Sequence, residues 1–191
     1  MMRKDAVQLA HEWALEEIAK YGLPYRFAFE TANAKGLELA KRLGADQAVV
    51  GVGTRLMDVK LGEAFKLGKA EAHVAMSVKA TRDFLEKLEF GGEQKKKAIA
   101  CVSEHHNAAG KFSSIESEIC ANADCYRFLD AKNFFNDLME WGKRGETLKS
   151  AIELAEKKVR EKIGTLSLPE CKAELENDIK AIKAFIEAAK R

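Results

Sequence analysis

Residues 99–106 read Ile-Ala-Cys-Val-Ser-Glu-His-His. Ile99 and Val102 stand seven and four positions before His106, the spacing of one face of an α-helix. The segment is the end of a helix expected over 93–107, and its apolar stripe runs out into two imidazoles. Gly91-Gly92 separates it from a preceding helix over about 70–89. On that helix His73 shares a face with Met76, Ala80 and Phe84. Downstream, Ser113-x-x-Glu116 has capping-box spacing and opens a helix in which Asp124 shares a strip with Cys120 and Phe128. Upstream, Asp58 lies inside the apolar run Leu56-Met57-Asp58-Val59.

Polar residues on apolar stripes are expensive. Burying one without a partner costs roughly 2–7 kcal/mol for a neutral group and more for a charge. The cost falls when such groups meet each other or a metal. The pattern therefore predicts an internal cluster of Asp58, His73, His105, His106 and Asp124. Neutral imidazoles supply lone pairs and carboxylates supply charge. That mixture suits one divalent ion such as Mn, Mg, Fe, Co, Ni or Zn. An ion of this kind lowers the pKa of a bound water and polarises a phosphoryl oxygen.

Working outward, the rest of the chain also reads as helix, so the fold class is all-α. The first helix covers about 4–20, with Val7, Ala10, Trp13, Ala14 and Ile18 on one face, and Gly22 and Pro24 end it. The second covers about 28–43 and stops at Gly44. Asp46 caps an apolar third helix that runs to about Leu56. A short segment follows over 61–68. The helix carrying Asp124 continues toward Trp141 with a bend near Asp130. Gly142 and Gly145 mark a break, which divides a helical domain over 1–145 from a C-terminal helical pair over 146–191. The pair covers about 147–163 and 169–190, and Ser167-x-Pro169-Glu170 starts its second member with a capping box and an early proline. Ile152, Leu154, Val159 and Ile163 form one stripe; Leu175, Ile179, Ile182 and Ile186 form the other. No unexpected polar residue falls on either stripe. The pair is expected to pack on the main domain or on a second copy in a homodimer.

Composition sets outer bounds. The 191 residues suit one domain with a sizeable core, or a domain with a small helical annex. With 47% hydrophobic and 32% charged residues the chain reads as globular. A formal net charge of +2 gives no support to a nucleic-acid or anionic-membrane partner. No apolar stretch approaches the roughly 18 residues needed to span a bilayer. The amino terminus, Met-Met-Arg-Lys-Asp, does not read as a signal peptide. Cys101, Cys120, Cys125 and Cys171 form no C-x-x-C pair and read as reduced core thiols, which points to the cytoplasm.

The order of these residues resembles the HD-domain superfamily of metal-dependent phosphohydrolases. Those are all-helical proteins with the ordered pattern His … His-Asp … (His … His-His) … Asp. Three segments carry the likeness: Glu-Ala-His-Val-Ala-Met-Ser at 71–77, the segment 99–106 quoted above, and Glu-Ser-Glu-Ile-Cys-Ala-Asn-Ala-Asp-Cys-Tyr-Arg at 116–127. The resemblance covers roughly residues 25–130. In binuclear members a first ion is held by the early His, the His-Asp pair and the last Asp. A second ion takes the shared Asp and the three middle histidines. Carried over, the first site keeps only Asp58 and Asp124, and the second keeps Asp58, His73, His105 and His106.

The departures are specific. Met57 stands where the family has the histidine of its His-Asp pair, and a thioether is a poor ligand for hard ions. The early histidine is also missing from Phe29-Glu30-Thr31, where Glu30 fits the helical phase and is the candidate stand-in. The resemblance implies an enzyme acting on a nucleotide or another small phosphoester. In it Asp124 would complete the ligand set or act as a base toward water. The alternative is a catalytically degenerate member, a pseudoenzyme that binds a ligand or a protein. A third possibility is a plain scaffold associating through residues 147–190.

Each residue also has a structural role to set beside the chemical one. His105 and His106 at a helix end gain about 0.3–1 kcal/mol from the helix dipole when protonated. Asp124 has Arg127 and Lys132 within reach as partners, and His73 has a helix-start backbone. Glu116 coincides with an acid of the family but reads first as part of a cap. Arg55, Lys60 and Lys111 lie near the expected mouth and read first as structural or solvated charges. His11 is expected on the exposed side of the first helix.

Overall fold

The computed structural model describes residues 5–191 and is all-helical, with no strand among them. The first three helices start and stop where local chemistry dictates. Helix α1 (Ala6–Tyr21) opens on Asp5, whose carboxylate accepts the Gln8 backbone N–H at 2.8 Å, and ends at Gly22 with φ 75°. Helix α2 (Arg26–Leu43) ends at Gly44 with φ 68°. Helix α3 (Gln47–Leu56) is capped by Asp46, which accepts from the N–H groups of Ala48 and Val49 at 2.9 and 3.1 Å.

Helix α3 is the centre of the molecule. It is apolar on nearly every side, with Val49, Val50, Val52 and Leu56 fully buried, as a helix surrounded by others must be. It packs against α1 and α2, and also against α6 (Gly92–Glu104) and α7 (Ile115–Leu129). Gly53 allows the closest approach. A Cβ there would lie 2.5 Å from Cys101 Cβ on α6 and 2.8 Å from Cys120 Sγ on α7. Between α3 and α6 come α4 (Leu61–Lys66), a 3-10 turn (Ala70–Ala72) and α5 (His73–Leu85).

Three caps differ from the sequence reading. The cap of α7 is Ser114, whose Oγ accepts the Ser117 N–H at 3.2 Å, and not Ser113 with Glu116. Glu116 is buried and instead accepts from Lys97 Nζ at 3.0 Å. At Asp130 the backbone turns to ψ 130°, so the expected bend is a full break. Asp130 then caps α8 (Ala131–Lys143) through the Asn133 N–H at 3.0 Å. Helix α10 (Pro169–Ala189) has its proline in the first turn, but no side chain at its start caps it. The N–H groups of Ser167 and Leu168 both go to Asn122 Oδ1 on α7 at 3.0 Å.

Helix α9 (Leu148–Thr165) packs on α7 and α8, and α10 packs on α7, α8 and α9. Ile152, Val159, Leu175, Ile182 and Ile186 are buried, while Leu154, Ile163 and Ile179 are half-buried. The expectation of two purely apolar stripes fails at Lys162. It follows Val159 by three positions on the stripe of α9 and is fully buried, facing α7. Among the described residues no helix is long and apolar enough to cross a membrane.

Candidate metal centre

The ends of three helices and the faces of two others converge on Asp58. Asp58 sits in the turn after α3. His73 is the first residue of α5, and His105 and His106 form the turn after α6. The ring centroids of His105 and His106 are 4.2 Å apart, and that of His73 is 6.2 and 5.4 Å from them. One potential ligand atom from each of Asp58, His73, His105 and His106 lies within 4.8 Å of the others. These are the four residues carried over from the sequence as one ion's ligands.

The backbone orients two of the imidazoles. His73 Nδ1 is 2.7 Å from the carbonyl of Ala70, and His105 Nδ1 is 2.8 Å from the carbonyl of Val102. A carbonyl only accepts, so in both rings Nδ1 carries a proton, and when the ring is neutral Nε2 presents a lone pair. Those Nε2 atoms face Asp58 Oδ1 at 3.2 and 3.5 Å. His106 Nδ1 is 2.6 Å from Glu161 Oε1 on α9, which orients the third ring. Partners of this kind are what metal-ligating histidines use behind the ligand atom.

Lone pairs facing a carboxylate oxygen repel unless a cation or a proton lies between them. Asp58 Oδ1 and His105 Nε2 are both buried and without a hydrogen-bond partner. That orphaned pair, with two more imidazoles beside it, has the donor chemistry of a divalent-ion site. Burial pushes the Asp58 carboxyl up, but Arg127 and the imidazoles hold it well below the usual range, so it is ionised. Burial pulls His73 down, yet its pairing with the charged Asp58 carboxylate carries it above its ordinary value, which favours a proton on the ring when no cation is bound. Burial pulls His106 down despite Glu161, favouring the neutral ring. His73 and His106 are half-buried, which leaves the group open on one side.

The other side of Asp58 is closed by cations. Arg127 Nη1 donates to Asp58 Oδ2 and, at 2.7 Å, to Asp124 Oδ1. Lys162 Nζ is 2.5 Å from Asp124 Oδ2, 3.2 Å from Glu161 Oε1 and 3.3 Å from His106 Nδ1. Lys158 Nζ is 3.1 Å from Glu161 Oε2. The Phe128 ring lies under this layer, 5.4 Å from the Arg127 guanidinium and 5.7 Å from Lys162 Nζ.

Asp124 therefore joins the site through Arg127 and Lys162 and lies outside the four-residue ligand group. Its pairing with Arg127 is the structural role that the spacing allowed. Glu30 does not stand in for the early histidine: it is exposed and pairs with Arg26 at 2.7 Å. Met57 is buried, 2% exposed. Arg55 donates to the carbonyl of Gly51 at 2.8 Å, and Lys60 pairs with Glu17 at 3.0 Å and Glu63 at 2.9 Å, so neither is a free charge at the mouth. His11 is half-buried, its ring 5.5 Å from that of Phe29, rather than on an exposed face.

Sequence reasoning missed Glu161 and Lys162, and took Arg127 only as a structural partner of Asp124. Arg127 had a signal, its place three residues after Asp124. Lys162 had one too, a lysine three positions after Val159 on an apolar stripe.

Among solved structures, a protein from Lactobacillus plantarum superposes with a TM-score of 0.75 at 16% identity, over 100% of this chain and 97% of that one. A predicted HD superfamily hydrolase from an uncultured Thermotogales bacterium superposes with a TM-score of 0.59 at 17% identity, over 79% of this chain and 83% of that one. No family model and no curated protein matches the chain. At these identities the likeness is one of fold: the chain shares the all-helical fold of that predicted HD superfamily hydrolase, the fold that the resemblance implied.

Proposed function

We propose that Asp58, His73, His105 and His106 bind one divalent ion and that the chain is a metal-dependent phosphohydrolase acting on a nucleotide or another small phosphoester. The observation that carries this reading is the convergence of the four ligand atoms within 4.8 Å, on a fold shared with a predicted hydrolase. A bound divalent ion would supply Lewis acidity toward a phosphoryl oxygen and acidify a coordinated water.

The chain's own residues set up the rest. The carbonyls of Ala70 and Val102 and the Glu161 carboxylate orient the imidazoles, which reduces the rotamer entropy lost when they engage a ligand. Arg127 holds Asp58 ionised. The half-buried faces of His73 and His106 leave a way in for a small anion, whereas the Asp58 and His105 side excludes water.

One observation favours the second reading, a degenerate member that binds a ligand without turning it over. Both oxygens of Asp124 are engaged, by Arg127 and Lys162, so Asp124 is not poised as a base. One experiment separates the two. Purified protein is loaded in turn with Mn, Co, Ni and Zn and assayed for phosphate release from nucleoside mono-, di- and triphosphates. Turnover that disappears in Asp58→Asn supports the enzyme. Bound ion and retained nucleotide binding without turnover supports the degenerate module. Absence of any ion sinks both metal-based readings.

A further inference from the structure

We infer that Arg127 is a built-in cation filling a second cation position beside the proposed ion, and that it keeps this centre mononuclear. The inference rests on the ion reading of the four-residue group and concerns the opposite side of Asp58.

Asp58 divides its two oxygens between two kinds of partner. Oδ1 faces the Nε2 atoms of His73 and His105 at 3.2 and 3.5 Å and has no hydrogen-bond partner. Oδ2 and Asp124 Oδ1 both point at a single atom, Arg127 Nη1. Two buried carboxylates converging on one point define a cation position. Here a nitrogen of the chain stands in it, not a vacancy. Asp124 is 1% exposed and Arg127 5%, so the position is shut off from bulk solvent. Lys162 Nζ pairs with the remaining oxygen of Asp124.

Charge counting agrees. Asp58, Asp124 and Glu161 carry three negative charges, and Arg127, Lys162 and Lys158 carry three positive ones in direct contact with them. The layer is balanced before any ion arrives. One divalent ion at the imidazoles would leave two positive charges for an anionic ligand. A second ion would have to displace a guanidinium paired with two buried carboxylates. Met57 adds to the restriction, because the residue beside Asp58 offers sulfur and no imidazole.

The test counts ions and does not depend on turnover. Metal-free protein is equilibrated with excess Mn²⁺, freed of unbound ion and measured by elemental analysis, with electron paramagnetic resonance to detect coupled Mn pairs. The wild type is expected to hold one ion per chain with no coupled signal. Met57→His alone is expected to stay at one, because the guanidinium still fills the position. Met57→His combined with Arg127→Ala is expected to rise to two and to show the coupled signal. Should that variant fail to fold, judged by circular dichroism, Met57→His combined with Arg127→Gln replaces it with the same expectation. Two ions in the wild type or in Met57→His overturn the inference, as does a folded double variant that stays at one. Zero ions in the wild type overturns the ion reading itself, a distinguishable result.

Discussion

Lys162 Nζ lies 2.5 Å from Asp124 Oδ2, and the two side chains are 0% and 1% exposed. Burial alone would lower the lysine's pKa, but Asp124, Cys125 and Glu161 carry it above its ordinary value. Burial would raise Asp124, but Lys162 and Arg127 hold it below the carboxylate range. Each ion stays charged because the other is there. The contact also ties α9, in the C-terminal pair, to the helix beneath the imidazoles.

Lys162→Met is therefore expected to be costly. Removing one member of a buried pair destabilises by about 3–5 kcal/mol, because the other charge is left uncompensated. Asp124 keeps Arg127, which places the expected loss at the lower end. Combining Lys162→Met with Asp124→Asn removes that stranded charge and should recover part of the loss. Urea unfolding of the three proteins measures both effects. Wild-type stability in Lys162→Met would show that the pair contributes nothing.

Asp58→Ala is expected to abolish bound ion, whereas Met57→Ala lowers stability and leaves the ion count alone. Asp58 offers Oδ1 to the ligand group, and Met57 offers packing. Truncating a buried methionine costs about 2–5 kcal/mol, so Met57→Ala should unfold at lower denaturant. Elemental analysis of both folded variants decides the point, and equal occupancy would defeat the assignment of Asp58.

How much of this was legible in the sequence depends on what kind of signal each residue leaves. Gly22, Gly44 and Asp46 act on their own few neighbours, so the limits of α1, α2 and α3 could be read locally. His73, His105 and His106 announced themselves by interrupting apolar stripes. The cap of α7 slipped by one residue because Ser113 and Ser114 are both competent, and the choice is made by Glu104, which accepts from the Ser113 N–H and the Ser117 hydroxyl. Asn122 replaces a local cap on α10 from 45 residues away, which no local pattern encodes. Glu30 fitted the helical phase but met Arg26, one turn before it. Lys162 was hidden for a different reason. A lysine near the end of an amphipathic helix is ordinarily a solvated charge, and only the packing of α9 against α7 turns it inward.

Asp137 makes stability depend on pH. It is 3% exposed, with one carboxylate oxygen unpartnered. Burial pushes its pKa from 3.8 up to about 7, with Arg127 and Lys158 opposing and Asp124 and Glu140 adding to the rise; Tyr25 also lies in its field. The unfolded carboxyl releases its proton near 3.8 and the folded one near 7, so the folded state holds the extra proton between them. Its share of stability is present below that window and is lost as pH rises through it. Asp137→Asn lacks this loss. The variant should therefore gain on the wild type from pH 4 to pH 7.5, by an amount on the order of a few kcal/mol. Urea midpoints across that range test it, and parallel curves for the two proteins would show that Asp137 titrates normally.

Ile182→Asp is expected to unfold the C-terminal pair. Ile182 is 1% exposed, and its burial contributes about 1.5–3 kcal/mol, to which an unpaired buried carboxylate adds a further cost. Because α9 carries Glu161 and Lys162, the loss should also release His106 from its partner. The variant's melting curve and its imidazole NMR signals report the two effects. An unchanged melt would mean that the pair is dispensable.

Gly53→Ala connects the packing of α3 to the site. The added methyl would sit 2.5 Å from Cys101 Cβ and 2.8 Å from Cys120 Sγ. The nearer atom is tied directly to backbone, so α6 must move. Cys101 is one turn before His105, and Cys120 is one turn before Asp124, so the same displacement shifts the imidazole and the cation layer relative to Asp58. Overpacking of this kind costs about 1–3 kcal/mol. Gly142→Ala supplies the opposite expectation. It lies in α8 with nothing within 4 Å of a new Cβ, and replacing a helical glycine by alanine stabilises by roughly 0.5–1 kcal/mol. Urea unfolding should thus move the two variants in opposite directions. Mn²⁺ titration should weaken for Gly53→Ala alone. Tight ion binding retained in a destabilised Gly53→Ala protein would show that the site tolerates the shift of α6, and that the close approach at Gly53 serves stability only.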